Sequence, residues 1–530
     1  MKGTFRQSMG WLHIWAGLVV GWVLFFVFLT GTAGYFDEEI DRWMEPERPL
    51  PEVAMPTEKL LGLARAHLES ASSDAEYWTI SFPGYRSSDL YIFWRDTPQP
   101  GGKTSGSGRV FLNPATAEPI AHRETGGGNL LYRMHWRLHY MPMRTAEWIV
   151  GVCTMFMLVA IITGIIVHRR IFKDFFTFRP HKGQRSWLDA HNVLSVLALP
   201  FHLMITWSGL IFLAYIYMAP VMWASYGVGE GEDSQKTFFN ELYNRTDAPD
   251  PAGLTMPLVP LEPLLHASET RMGVGEVKSI RVYNPGDANA RVVIRGGELN
   301  PSRALAEMTF DGTTGMLLHE AVPRSVPLVT FQTLLGLHEG LFAGPVLRWI
   351  YFLSGLMGTA MIGAGLILWT VKRRLKIGDG FGFRLVERLN IATIVGLPVA
   401  IAAYFWANRL IPLGIENRAA WEAHAMFIAW AVMSLHAFTR PAARGWVEQL
   451  WIAAGAFGLL PILNALTTDR HLGVTLPARA WELAGFDLTV LAFGAAFAVA
   501  ARQVARHRRS DPTPGKKAQI SARRKTEAAE

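Results

Sequence analysis

Histidine is the residue whose placement in this chain could do chemistry. His13, His135, His139, His168, His191, His202 and His338 all fall inside or at the ends of apolar stretches. Neutral imidazole is a good ligand for iron, and an ionisable group within a membrane span is a functional candidate by default. The stretch Asp189–Tyr217, DAHNVLSVLALPFHLMITWSGLIFLAYIY, is long and apolar enough to cross a bilayer, at roughly 20 residues per span. His191 and His202 stand eleven positions apart in it. On an unbroken helix that spacing returns to within roughly 20° of one face, about 16 Å along the axis. The plainer alternative puts His191 at a headgroup boundary and makes His202 a hydrogen-bonded core residue. One helix does not decide between these readings; the partners on other helices do.

The elements that must position these histidines are membrane spans. The chain has 530 residues, 50% hydrophobic and 18% charged, with 19 Trp and 30 Phe, a profile too apolar for an ordinary soluble domain. The net charge of +7 comes from Lys and Arg beside apolar spans, which sets topology and argues against a nucleic-acid partner. Cys153 is the only cysteine, so a disulfide within the chain, covalent haem through Cys-x-x-Cys-His and a Cys-based cluster are all excluded. Any metal would rest on His, Met, Tyr or carboxylates. Eight spans can be read, at 11–34, 147–168, 190–217, 346–371, 390–410, 420–438, 447–466 and 482–501. The first is too long for the apolar part of a signal peptide and reads as a retained anchor. Arg169, Arg170, Lys182 and Arg185 after span two, Lys372, Arg373 and Arg374 after span four, and Arg440 and Arg444 after span six share one side. That places both termini in the cytoplasm and residues 35–146 and 218–345 outside.

The chain also repeats itself. Leu12-His13 with Thr30-Gly31 matches Ala190-His191 with Ser208-Gly209 at the same spacing. Leu138-His139 matches Leu337-His338, and Thr163-Gly164 matches Ala364-Gly365. The unit is span, external α+β domain, span, used twice, and a parallel repeat implies a pseudo-two-fold axis along the membrane normal. In the first external domain, Thr57–Glu69 has helical spacing, and strand-like runs follow at Tyr77–Phe82, Leu90–Trp94 and Val110–Leu112. In the second, Leu261–Ser268 reads as a helix, followed by strands at Lys278–Tyr283, Ala290–Arg295 and Met308–Phe310. Asn113-Pro114 and Asp311-Gly312 are turn chemistry. Gly101–Gly108, GGKTSGSG, precedes a strand rather than a helix, so it is a flexible loop and no phosphate cradle. The expected fold is a mainly α membrane protein with about eight transmembrane helices. Its first repeat spans 1–171, its second 172–375, four additional spans occupy 376–505, and a basic tail covers 506–530.

Sorted by depth, His13, His168 and His191 form a cytoplasmic ring and His135, His139 and His338 an external one, with His202 between. Two such rings on four spans suit two b-type haems with paired histidine ligands, which would let electrons cross a layer that excludes free charge. Gly31, Gly164, Gly209 and Gly365 would let helices or a flat macrocycle approach closely. Across the repeat, His13 pairs with His191 and His139 with His338, while His202 has no counterpart because Leu24 takes its place. His424 and His436, twelve apart, do not share a helix face and read as structural. A different reading is a copper-handling permease, since Met134, His135, His139, Met141 and Met143 are soft ligands, although the repeat is not inverted and no Pro-broken helix pair is evident. A non-catalytic binding protein is a third reading, which leaves the paired histidines unexplained.

WLHIWAGL at 11–18, LLYRMHWRLHY at 130–140, ITGIIVHRR at 162–170, DAHNVLSVLALPFHLMITWSGL at 189–210 and LHEGLFAG at 337–344 resemble the PepSY-associated transmembrane-helix family of bacterial inner membranes. The resemblance covers about residues 1–375 and implies PepSY-like external domains. Members similar to this chain are ferrisiderophore reductases, so it further implies haem b and a ferric siderophore substrate reduced on the periplasmic side, with Fe(II) released. The partners would then be the chelate, membrane lipid and an unidentified cytoplasmic or quinol electron donor. The loop at 171–187 reads as a basic, amphipathic interface anchor or as a dock for that donor.

Overall fold

A computed structural model describes residues 4–50, 55–72, 75–84, 89–97, 107–168, 178–180, 182–227, 232–243, 249–297, 300–302, 306–321, 325–377 and 380–510. Residues 171–177 and 181 of the expected anchor loop, residues 101–106 of the glycine-rich loop and the tail from 511 lie outside the described residues. The chain is mainly helical with one small sheet, a mainly α membrane protein. It opens with α1 (Phe5–Ala33), α2 (Asp37–Met44) and α3 (Thr57–Ala71), then β1 (Ala75–Ser81), β2 (Leu90–Asp96) and β3 (Ser107–Leu112). The first repeat closes with α4 (Gly127–Arg137) and α5 (Met143–Val167). The second runs α6 (Gln184–Leu197), α7 (Leu199–Phe212), α8 (Ala214–Tyr217), α9 (Ala219–Tyr226), α10 (Glu232–Tyr243) and α11 (Glu262–Met272). It continues through β4 (Val277–Tyr283), β5 (Arg291–Gly296), β6 (Ala306–Asp311) and β7 (Leu317–Ala321) to α12 (Val326–Glu339) and α13 (Pro345–Ile377). The remainder is α14 (Phe381–Ile394), α15 (Gly396–Leu410), α16 (Arg418–Thr439), α17 (Ala442–Gly458), α18 (Leu460–Thr467), α19 (Leu472–Thr475) and α20 (Trp481–Ser510).

Among the described residues, six helices are long and apolar enough to cross a membrane, and α6 with α7 make a seventh if that bent pair counts as one span. The expected sixth span, at 420–438, does form a helix, α16. It carries Arg418, Glu422, His424 and His436, too polar a set for it to qualify. The pair α6 and α7 is bent by 69° at Ala198. Pro200 explains the break: it has no N–H to donate and crowds the preceding turn. His191 and His202 are therefore not on one continuous helix, and the shared-face geometry expected from their spacing does not hold. A Pro-broken membrane helix, not seen in the sequence, is present here.

The two expected α+β domains share a sheet instead of forming separate ones. Strand order is β3-β2-β1-β4-β5-β6-β7, and the seam is the antiparallel pair β1–β4, with Tyr77 opposite Tyr283 and Ile80 opposite Ile280. Alternation decides its faces. Trp78, Ile80, Ile92, Ile280, Val282 and Ile294 point to one side, where Leu60, Leu61 and Leu68 of α3 and Leu264 and Leu265 of α11 close a core. The expected strands are all present; β7 was not expected.

The C-terminal helices α15, α16 and α20 are locked to α2 and to the segment just before α4. Arg409 of α15 lies 3.8 Å over the Trp43 ring, and Trp43 Nε1 donates to Asp487 of α20 at 2.9 Å. Arg418 and Glu422 form an ion pair with both side chains 0% exposed. Glu422 also accepts from Thr125 at 2.6 Å, and Arg418 donates to the Glu124 carbonyl at 2.9 Å, both just before α4. Removing one member of a buried pair strands the other charge, at a cost of about 3–5 kcal/mol. Arg418→Ala should lower the detergent melting temperature sharply, whereas an Arg418→Met/Glu422→Leu double variant should recover most of the loss. Equal melting temperatures for the two variants would remove this clamp from the account.

Candidate functional site

His13 of α1 and His191 of α6 form one pair. Their ring centroids are 6.2 Å apart, with planes inclined by 70°. His13 Nδ1 donates to the Ala160 carbonyl at 2.9 Å, and His191 Nδ1 to the Met361 carbonyl at 2.9 Å. A carbonyl only accepts, so each neutral ring must carry its proton on Nδ1 and present the Nε2 lone pair. Ala160 and Met361 are 201 positions apart, as are Gly164 and Gly365. Those glycines explain how the rings come so close to the neighbouring helices: a Cβ on Gly164 would lie 3.2 Å from His13 Cε1, and one on Gly365 3.2 Å from His191 Cε1.

His135 of α4 and His338 of α12 form the second pair, with centroids 6.4 Å apart and planes inclined by 23°. The same device recurs. His338 Nδ1 meets Ser208 Oγ at 2.9 Å, and that hydroxyl spends its own proton on the Met204 carbonyl at 2.6 Å, so the imidazole is the donor. His135 Nδ1 donates to the Tyr132 carbonyl. Gly209 and Gly31 are the facing glycines; added Cβ atoms would stand 3.2 Å from His338 and 3.4 Å from His135. A cavity of about 540 Å³ opens beside this pair, lined by Phe28, Gly31, Gly209, Phe212 and both rings. That volume lies within the roughly 300–1,000 Å³ typical of cofactor sites. Along α1, His13 and Gly31 are 18 residues apart, so the two pairs occupy layers roughly 27 Å apart.

These residues fit a bis-imidazole metal group. Two rings bound through Nε2 to one iron, at roughly 2 Å per bond with each ring centre about 1.1 Å farther out, would place their centroids roughly 6.3 Å apart. Both observed separations agree with that value. A ligating histidine ordinarily gives its other N–H to a carbonyl or similar acceptor, as all four do here.

The structure corrects the expected repeat partner of His338. Gly31 and Gly209 are equivalent, each 178 positions from its counterpart, and the rings they face belong to His135 and His338. His139 sits elsewhere, stacked on Phe427 of α16 at 5.4 Å, next to Tyr140, whose hydroxyl bonds His424. His168 caps the end of α5, its N–H bonded to the Gly164 carbonyl at 3.0 Å. His202 is 1% exposed between the two layers, packed against Phe28 and Phe201. Neither of its ring nitrogens makes a well-formed hydrogen bond, and the Ser354 backbone is a polar neighbour. The soft-ligand set is dispersed: Met134 is in the core, while Met141 and Met143 are exposed. Among the described residues no group of three or more His, Cys, Asp or Glu side chains is placed to hold a metal ion. Sequence reasoning missed the acceptors Ala160 and Met361, which act through backbone atoms and leave no side-chain signature. A closer signal for His135 existed in Leu131-x-x-x-His135, which matches Leu334-x-x-x-His338.

Among curated proteins none matches the chain. The family described as the PepSY-associated TM region matches residues 10–372, a stretch that contains all four paired histidines, their facing glycines and the whole shared sheet. The chain belongs to the PepSY-associated TM family.

Proposed function

We propose that this multi-pass membrane protein is an inner-membrane oxidoreductase that reduces ferric iron held in chelates such as siderophores on the periplasmic side, with electrons entering from the cytoplasm. The observation that carries the reading is the geometry of the two pairs: centroid separations of 6.2 and 6.4 Å, in layers near opposite ends of α1. Haem b held at each pair would supply a one-electron carrier within an apolar layer. His13 and His191 are its holders at one end and His135 and His338 at the other. Ala160, Met361, Tyr132 and Ser208 fix the tautomer and the direction of each ring. The four facing glycines keep side chains out of the ring planes, and Phe28 and Phe212 keep water from the pair nearer the sheet.

The substrate chemistry follows from ligand hardness. Fe(III) is held tightly by oxygen donors and Fe(II) far less so, so adding one electron per iron releases the metal and spares the chelator. The orientation rests on charge: Lys372, Arg373 and Arg374 at the far end of α13 suit the cytoplasmic side, which leaves the sheet outside. The electron donor on the cytoplasmic side is a quinol or a soluble reductase.

Two outcomes test this. His135→Ala and His338→Ala should each lower the haem content of the purified protein by one equivalent, while His139→Ala should keep it unchanged; a loss in His139→Ala with none in His135→Ala would refute the pairing. In proteoliposomes, His13→Ala or His191→Ala should stop an enclosed reductant from reaching an external ferric chelate. A small external reductant should still reduce the pair nearer the sheet. Transfer from the inside at the unmodified rate in both variants would rule out the two-layer path.

A further inference from the structure

Among the described residues, no helix packs on the second face of the shared sheet as α3 and α11 pack on the first. At and beside the seam that face carries arginines laid on aromatic rings. Arg95 and Arg281 both stand over Tyr77, at 5.3 and 5.0 Å, and Arg281 is also 5.9 Å from the centre of Tyr283. Arg109 lies 5.6 Å over Phe111. Thr79 holds Arg281 in place, accepting from its Nε at 3.0 Å. Farther along the same face the cations are neutralised: Arg291 pairs with Asp311 at 3.0 Å and Arg295 with Glu307 at 2.6 Å. Among the described residues Arg95, Arg109 and Arg281 make no such ion pair. Positive charge on this face thus runs from Arg281 at the seam through Arg95 on β2 to Arg109 on the edge strand β3, with the Tyr77 ring facing both Arg95 and Arg281.

We infer that this arginine–tyrosine seam binds a small anionic chelate built from aryl oxygen donors, its charge meeting Arg95, Arg109 and Arg281 and its rings stacking against guanidinium and tyrosine planes. A planar guanidinium recognises both oxyanions and π faces, which a lysine ammonium does not do equally well. Arg95 and Arg109 are exposed and Arg281 is half-buried, with the buried Glu45 carboxylate acting on Arg109 from one end; three guanidiniums so placed favour a ligand of net negative charge over a neutral one. The surface is tied to the membrane part of the protein at one end, where Arg48, just beyond α2, lies 4.2 Å over Phe111 and pairs with Asp89 at 2.9 Å. The ligand class rests on the chelate-reductase reading; the binding step does not need electron transfer.

The gallium(III) complex of 2,3-dihydroxybenzoate is anionic and redox-inert, so calorimetric titration of the full-length protein with it reads docking alone. An Arg95→Gln/Arg109→Gln variant changes two exposed side chains and should weaken binding at least tenfold. Arg281→Gln should weaken it several-fold. Arg271→Gln, on α11 across the sheet, should leave it unchanged, and unaltered haem content in each variant reports an intact fold. An affinity within twofold of the unmodified protein for the Arg95→Gln/Arg109→Gln variant would overturn the inference, as would equally tight binding of the neutral gallium(III) acetohydroxamate complex. Loss of gallium-complex binding in the Arg95→Gln/Arg109→Gln variant, together with no ferric reduction by the unmodified protein, would sustain the surface and sink the reductase reading instead.

Discussion

A backbone or hydroxyl oxygen grips the Nδ1–H of each paired imidazole, and the bundle is arranged around that grip. A buried histidine could otherwise turn about two torsions and exchange tautomers. With Nδ1 committed to Ala160, Met361, Tyr132 or Ser208, both freedoms are removed and Nε2 is left as the donor. Second-layer partners of this kind typically alter metal affinity by roughly 10–100-fold. The facing glycines are the other half of the constraint. A Cβ at Gly164, Gly365 or Gly209 would come to 3.2 Å from an imidazole carbon and force the ring out of line.

Duplication explains why the arrangement occurs twice, and its departures from symmetry show what is held fixed. The glycines, the acceptors on α5 and α13, and the hydroxyl bonds Thr30 to Phe26 and Ser208 to Met204 all recur at constant offsets. The pair nearer the sheet breaks the pattern in one bond: His338 uses the serine hydroxyl, whereas His135 uses a carbonyl one turn back on its own helix. The two halves are then joined at the β1–β4 seam, and the C-terminal helices are bolted to the first half through Trp43, Arg409, Arg418 and Glu422. Those extra helices are packed into the same body.

Much of this was legible from residue types. Apolar length gave six spans and the bent seventh, two-residue alternation gave six of the seven strands, and the spacing of His13, Gly31, His191 and Gly209 exposed the repeat. Three things were not. Pro200 was visible, but whether it kinks or breaks a membrane helix depends on what refills the lost hydrogen bond, and here the bend is 69°. The partner of His338 was misplaced onto His139 because the Leu-His dipeptide is a weaker marker than the glycine opposite the ring, which only packing identifies. The fusion of the two sheets is a long-range pairing of β1 with β4, across more than 190 residues, with no local signal.

The central claim is that each of two imidazole pairs grips one iron porphyrin. The most direct measurement is the haem-to-chain ratio of protein purified from haem-replete cells, read together with its low-temperature electron paramagnetic resonance spectrum. The account predicts two haems per chain, both low-spin in the ferric state with two nitrogen axial ligands. Colourless protein, or haem bound only in a high-spin, five-coordinate form, would contradict it.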